Sequence, residues 1–292
     1  MKKLFHKVFI SLMYRTQFAQ RISTLEKRIA LYDQSFFEGS KLFEKYYELL
    51  NFLEVKIPVD GQLIRVGPDS DSGYILFNNF SDVDSVISLG VGRNVDTELY
   101  FAELGIEIFL FDGTVKSLPK NHERFNFSPR NVYGSRLLSL GSKNFVLLND
   151  IIMQQLKLFN GFEETKGNRP QYLLLIDIEG SEYDVILNTE TEYLELCQQI
   201  TVEFHDIFKK INNGMQEVYD CIAKLNKTHE LISIHGNNFG GFIHLNGNDY
   251  PDVLETTWLR KDLVKFKKGK NSLSHDLNKP NNPGAKDLKL EW

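Results

Sequence analysis

A chain of 292 residues, 42% hydrophobic and 25% charged, has a globular composition and enough length to bury a core, in one large domain or two small ones. A formal net charge of −5 argues against a basic nucleic-acid binder, so no nucleic-acid partner is expected. Cys197 and Cys221 are the only cysteines, too few for a secreted disulfide framework, and they read as free thiols of a reducing, cytoplasmic compartment.

The start, Met1-Lys2-Lys3-Leu4-Phe5, imitates a signal peptide. Its apolar stretch, Val8 to Met13, is short and lacks a small-residue cleavage site, and no apolar run is long enough for a transmembrane helix. Residues 1–28 hold seven Lys or Arg against Glu26 alone. Residues 2–53 contain no proline and keep a helical stripe through Leu25, Ile29, Tyr32, Phe36, Leu49 and Leu53. Residues 1–55 are therefore expected to form a helical arm. It either packs on its own domain or a second copy, as in a homo-oligomer, or touches a partner or the inner face of a membrane through its basic face. The first use is the more ordinary one for a charge-bearing helix.

Residues 63–77 place two apolar runs around a turn rich in Gly, Pro, Asp and Ser, which predicts a β-hairpin. Strands and helices then alternate. Strands are expected at Ser85–Leu89, Glu107–Phe111, Asn131–Tyr133, Tyr172–Ile176, Gln199–Phe204 and Leu231–His235. Helices are expected at Asp96–Leu104, Asn149–Phe159, Glu182–Leu187 and Met215–Asn226. That order implies one α/β domain over 56–264, a Rossmann-like, mostly parallel sheet with helices on both faces. Residues 265–292 are polar, carry Pro280 and Pro283, and read as a tail packing on or extending from the domain.

The first central strand runs into Gly90-Val91-Gly92, and in a parallel sheet ligands bind beyond such carboxyl ends. The next strand ends at Asp112, 22 residues after Gly90, where a carboxylate can accept hydrogen bonds from ribose hydroxyls. Val95 stands where a dinucleotide fingerprint needs its third glycine, so NAD is disfavoured and adenosylmethionine, which has a ribose but no phosphate, suits the turn.

Three later strands also end in polar groups. Tyr172–Ile176 runs into Asp177-Ile178-Glu179-Gly180-Ser181-Glu182, where Ser181 and Asp184 are placed for a capping box. The next ends in Glu203-Phe204-His205, and the one after it in His235-Gly236-Asn237-Asn238. Acids near a helix start also serve the helix dipole, which accounts for Glu182 better than for Asp177. His205 is a candidate general base, its ordinary pKa of about 6.5 suiting neutral pH. Alternatively Asp177, Glu203, His205 and His235 contribute to a divalent-metal site.

These segments, together with Arg65-Val66-Gly67-Pro68, Asp71-Ser72-Gly73-Tyr74, Glu98, Phe111-Asp112-Gly113-Thr114, the stretch from Pro251 to Thr257 and that from Asn278 to Pro283, resemble the FkbM-like methyltransferase family over roughly residues 60–292. The resemblance implies a seven-strand methyltransferase sheet, S-adenosylmethionine, and methyl transfer to oxygen, often on sugars. By position it places Gly90, Gly92 and Asp112 on the cofactor site and Asp177 near the reaction centre; Arg65, Glu98 and Gly113 are further cofactor-binding candidates, and Glu203 and His205 further catalytic ones. Glu179, His235, Asn237 and Asn238 fall to a small-molecule or glycan acceptor. The other readings are a non-catalytic scaffold on the same fold and a metal-dependent transferase using Asp177, Glu203 and His205.

Overall fold

The computed structural model describes residues 42–135, 144–162, 169–245, 248–269, 276–288 and 290. By its contacts the chain divides into two units, Met1–Tyr46 and Tyr47–Trp292. Residues 42–52 are helical (α1), and the rest of the helix expected over 2–53 lies outside the described residues. No helix among the described residues is long and apolar enough to cross a membrane.

The hairpin forms as expected, with β2 (Leu63–Val66) antiparallel to β3 (Tyr74–Phe77); before it comes the short β1 (Lys56–Pro58). There follow β4 (Ser85–Leu89), α2 (Asp96–Glu103), β5 (Glu107–Phe111), β6 (Phe125–Ser128), β7 (Asn131–Tyr133), β8 (Phe145–Leu147) and α3 (Leu148–Phe162). The second half has β9 (Tyr172–Ile176), α4 (Glu182–Asn188), α5 (Thr191–Leu194), β10 (Cys197–Phe204), α6 (Ile207–Asn212), α7 (Gln216–Thr228) and β11 (His229–Gly236). It closes with β12 (Phe242–Leu245), β13 (Asn248–Pro251), β14 (Leu254–Arg260) and β15 (Phe266–Lys268).

Seven strands form one sheet in the order β11-β14-β10-β9-β4-β5-β6. It is parallel except for β14, which runs against both its neighbours. This is the mostly parallel, Rossmann-like α/β sheet expected. Alternate residues explain its two covers. Val86, Ile108, Leu110, Leu173 and Leu175 pack with Phe101 and Ala102 of α2 and with Val66, Tyr74 and Leu76 of the hairpin. The residues between them, Ile87, Leu89, Leu174 and Ile176, are buried as well, as in a sheet covered on both faces. The strand expected at Asn131–Tyr133 exists, but it pairs with β8 outside this sheet. The edge place is taken by β6 instead, whose Phe-Asn-Phe-Ser is only partly buried. Cys197 and Cys221 are buried free thiols.

The chain enters the sheet at β4, moves outward to β5 and β6, then returns to β9 on the other side. The crevice between the ends of β4 and β9 is therefore the topological switch point, where such sheets bind ligands. Register does the rest. Leu89 is level with Phe111 and Ile176, Ile176 with Val202, Glu203 with Glu255, and Glu255 with His235. One step further along, His235, Glu255, Glu203, Asp177, Gly90 and Asp112 form a single row across the carboxyl edge.

Candidate active site

A cavity of about 380 Å³ opens at the switch point, walled by Gly90-Val91-Gly92, by Asp112–Thr114 and by Asp177-Ile178-Glu179. Both turn glycines have positive φ, +81° at Gly90 and +57° at Gly92. A Cβ on Gly90 would stand 1.5 Å from the Asp177 carbonyl oxygen, so the turn crosses the neighbouring backbone where no side chain fits. A Cβ on Gly92, which also lines the cavity, would meet nothing within 4 Å.

Asp112 holds this turn. One carboxylate oxygen accepts the amides of Val91 and Gly92, at 3.0 and 2.8 Å. The other accepts the amide and hydroxyl of Thr114, at 2.7 and 2.6 Å. Burial alone would raise its pKa, but the bonds from Thr114, Gly92 and Val91 outweigh it and the net shift is downward. The oxygens expected to meet ribose thus already carry four donors of the chain. A ribose hydroxyl reaches them only by displacing one, and the Thr114 hydroxyl, free to rotate, is the easiest to move. Asp112→Asn turns an acceptor into a donor facing amides, and it is expected to cost about 2–4 kcal/mol in urea unfolding; an unchanged midpoint would contradict this bracing role. Because the folded pKa is depressed, the stabilisation is present above about pH 4 and lost as pH falls through the folded value.

A second cavity of about 290 Å³ shares Asp71, Asp177 and Glu179 with the first and adds Glu203, His205, Asn237 and Phe239. Asp177 stands between the two. His205 Nδ1 lies 2.9 Å from Glu182 Oε1 and 3.0 Å from the Glu203 carbonyl oxygen. Its Nε2 faces Glu203, Glu179 and Asp177 at 3.6, 3.7 and 3.9 Å. Burial works against its charge, but the bond to Glu182 and the charges of Glu182, Asp177 and Glu179 win and raise it to about 9. His205 is therefore an imidazolium at neutral pH. Burial pushes Asp177 up to about 7, opposed by His205 and reinforced by Glu179, Glu182 and Asp71. Glu203 is held well above the ordinary carboxylate range by burial and by Asp177, Glu255 and Asp71, against the bond from Asn237 Nδ2 at 2.7 Å.

Glu182, fully buried, is the hub that sequence reasoning took for a dipole acid. Its Oε1 also accepts the amides of Ile178 and Gly180, at 3.1 and 3.0 Å, fixing the loop that carries Asp177 and Glu179. The capping box does not form. Ser181 makes no side-chain cap bond, and Asp184 instead accepts the amides of Gly134 and Ser135 at 2.7 and 3.2 Å. Ser72, Glu179 and Asp206 have φ of +65°, +53° and +60°; the first two line the cavities and the third adjoins His205. Left-handed backbone at non-glycine residues is strain of the kind that clusters at working sites.

The remaining candidates are divided between the core, the hairpin turn, the cavity walls and the contacts to residues 276–288. Glu98 is buried in the core, accepting a hydrogen bond from Ser88 Oγ at 2.7 Å, and ties α2 to β4. Arg65 donates to the carbonyls of Pro68 and Ser70, at 2.9 and 2.8 Å, and clamps the hairpin turn. Gly113 lines the first cavity and Asn237 the second. Asn238 donates to the carbonyls of Asn282 and Lys286. His235 pairs with Glu255 at 3.0 Å and Asp287 at 2.8 Å, so of the four metal candidates only Asp177, Glu203 and His205 come within 4.8 Å of one another. A second group of that kind is Asp71, Glu203 and Glu255.

His235 belongs to a latch that holds residues 276–288 to the sheet. Asn281 donates to Asp71 and Glu255, and Leu288 bridges to Gly236. Burial opposes the His235 charge, but Asp287 and Glu255 raise it to about 9. Its stabilisation is full below about pH 6.5 and lost as pH rises through about 9. His235→Ala, which removes the cation hydrogen-bonded to Glu255 and Asp287, is expected to cost about 3 kcal/mol and to expose residues 276–288 to protease at neutral pH. Wild-type protein should become cleavable there only near pH 9, and cleavage independent of both pH and the substitution would refute the latch.

A parallel sheet with a glycine turn at its switch point, and an acid-walled second chamber beyond it, defines a Rossmann-like ligand-binding enzyme fold. The family model of the methyltransferase FkbM domain matches residues 46–233, more than half of the chain, and the chain belongs to that methyltransferase family. No curated protein and no solved structure matches it. The match contains Asp177, Glu182, Glu203 and His205; His235, Asn237, Phe239 and Glu255 lie beyond its end.

Proposed function

We propose that this methyltransferase takes its methyl group from adenosylmethionine in the first cavity and transfers it to a sugar or glycan hydroxyl in the second. The observation that carries this reading is the position of Asp177, which lines both chambers at the end of the central strand pair.

The first cavity suits the cofactor. Gly92 leaves room along the turn, and Val95, buried in the core, closes off a third-glycine phosphate cradle. Arg93 lines the cavity, is exposed, and has no ion pair among the described residues, so it is available to a carboxylate. Asp71, Asp177 and Glu179 also line the cavity, and their carboxylates would suit the positive charges of a sulfonium and an ammonium. Adenosylmethionine supplies an electrophilic methyl on a sulfonium, a reaction in which alignment accounts for much of the rate. Asp177, raised to about 7, accepts the proton of the acceptor hydroxyl. His205, held as a cation by Glu182, stays protonated and offsets the negative charge around it. The base is thus Asp177, and His205 sets its charge.

Calorimetry of the full chain with adenosylhomocysteine, followed by transfer of labelled methyl to a glycoside panel, tests the reading. Saturable one-to-one binding and labelled product are expected, and absence of binding would sink it.

A further inference from the structure

The second cavity offers acceptors and few donors. Neither carboxylate oxygen of Asp177 has a hydrogen bond among the described residues; its nearest cation is His205 Nε2, at 3.9 Å. Glu203, only 5% exposed, gives one oxygen to Asn237, and the other has no hydrogen bond among the described residues. Among the described residues Glu179 has no hydrogen bond on its carboxylate, and it meets His205 at 3.7 Å. His205 Nδ1 is spent on Glu182. Among the described residues no lysine or arginine lines the chamber. At its mouth stands Phe239, 60% exposed, its amide tied to Asn237 Oδ1 at 2.8 Å.

A nearly buried carboxylate oxygen without a donor is costly, and carboxyls crowded around one imidazolium hold their protons, as Asp177 and Glu203 do, unless a further cation enters. An ammonium group supplies both missing things, three donors and a positive charge. An aromatic face at the mouth attracts a cation and covers the C–H face of a sugar ring. An acceptor bearing a carboxylate or phosphate would instead add an anion to the ring of acids.

We propose that the acceptor is an amine-bearing carbohydrate, its ammonium held by Glu203 and Glu179, its ring against Phe239, and its reacting hydroxyl at Asp177. The inference rests on reading this chamber as the acceptor's place.

The test uses the full chain saturated with adenosylhomocysteine, in EDTA, titrated with the methyl glycosides of glucosamine, glucose and glucuronic acid. The glucosaminide is expected to bind about tenfold more tightly than the glucoside, with the glucuronide weakest. Phe239→Ala should weaken the glucosaminide about tenfold while adenosylhomocysteine affinity holds, and Phe239→Tyr should restore it. Glu203→Gln should erase the difference between amine and neutral sugar. Equal affinities, a preference for the glucuronide, or no glycoside binding with adenosylhomocysteine bound would each overturn the proposal. So would binding that appears only when Mg²⁺ or Mn²⁺ replaces EDTA, which would assign the positive charge to a metal ion. Loss of adenosylhomocysteine binding itself would strike the underlying reading instead.

Discussion

Gly90→Ala is expected to abolish adenosylhomocysteine binding and to lower the urea midpoint by the equivalent of at least about 3 kcal/mol. Two costs add. An alanine at φ +81° sits in left-handed backbone, about 1–2 kcal/mol dearer than for glycine. Its methyl would also stand 1.5 Å from the Asp177 carbonyl oxygen, and Asp177 is pinned to β4 through its own amide, which donates to the Leu89 carbonyl at 2.8 Å. Only separation of β4 from β9 at the switch point makes room. Gly92→Ala is the matched control. Its φ of +57° carries the same left-handed cost, but its methyl meets no atom, so stability should fall by only about 1 kcal/mol while the cavity narrows. Equal losses of stability in the two variants would show that the close approach at Gly90 is not what the turn depends on.

Asp177→Asn is expected to lower kcat by at least about 100-fold, with KM for the acceptor and affinity for adenosylhomocysteine changed little. The pH profile separates this role from a structural one. In the wild type, turnover should rise with pH through about 7 as Asp177 loses its proton, and fall through about 9 as the His205 imidazolium is lost. The two groups face each other, so the limbs belong to the pair rather than to either residue alone. Asp177→Asn should remove the acidic limb. Glu182→Gln takes away the strongest support of the imidazolium and should move the alkaline limb down toward about 6.5. Were His205 the base, activity would instead rise through about 9, and His205→Gln would remove that rise.

Much of the fold was legible because buried parallel strands announce themselves. Tyr172–Ile176 is wholly apolar, and β4, β5, β9, β10 and β11 all lie where apolar runs predicted them. β14 was not legible. Its Leu-Glu-Thr-Thr-Trp-Leu-Arg reads as mixed polar, yet Glu255, Thr256 and Thr257 are buried because the sheet satisfies them. Thr256 donates to the Val202 carbonyl at 3.0 Å and accepts from Trp258 Nε1 at the same distance. β6 was hidden for the opposite reason, since an edge strand needs no continuous apolar run.

The row of strand-end residues was partly legible for a similar reason. Gly90, Asp112 and Asp177 directly follow predicted strands and Glu203 and His235 lie near the ends of theirs, and strand ends converge wherever register is level. Glu182 and Asp71 sit one helix start and one hairpin turn away, where acids have ordinary local explanations. Nothing in their spacing says that one clasps His205 and the other borders both chambers. The charge states were not legible either. His205 has the ordinary imidazole value only in isolation, and its shift to about 9 comes from carboxylates that reach it from other elements.

The reversed strand β14, between β10 and β11, has a consequence for biosynthesis. The chain leaves the ribosome from its amino end, so β4, β5, β9 and β10 exist before β14 does. The glycine turn and its Asp112 brace are complete at that stage, whereas β10 must wait with an open edge until residues 254–260 arrive and slot in. An unpaired apolar strand of this kind is where nascent chains aggregate. The chamber beside Glu203 gains its β14 neighbour Glu255 and the latch residue Asn281 last of all. Nascent chains halted before residue 254 would therefore carry the brace of the first chamber but not the finished wall of the second, so the two halves of one catalytic site mature at different moments of synthesis.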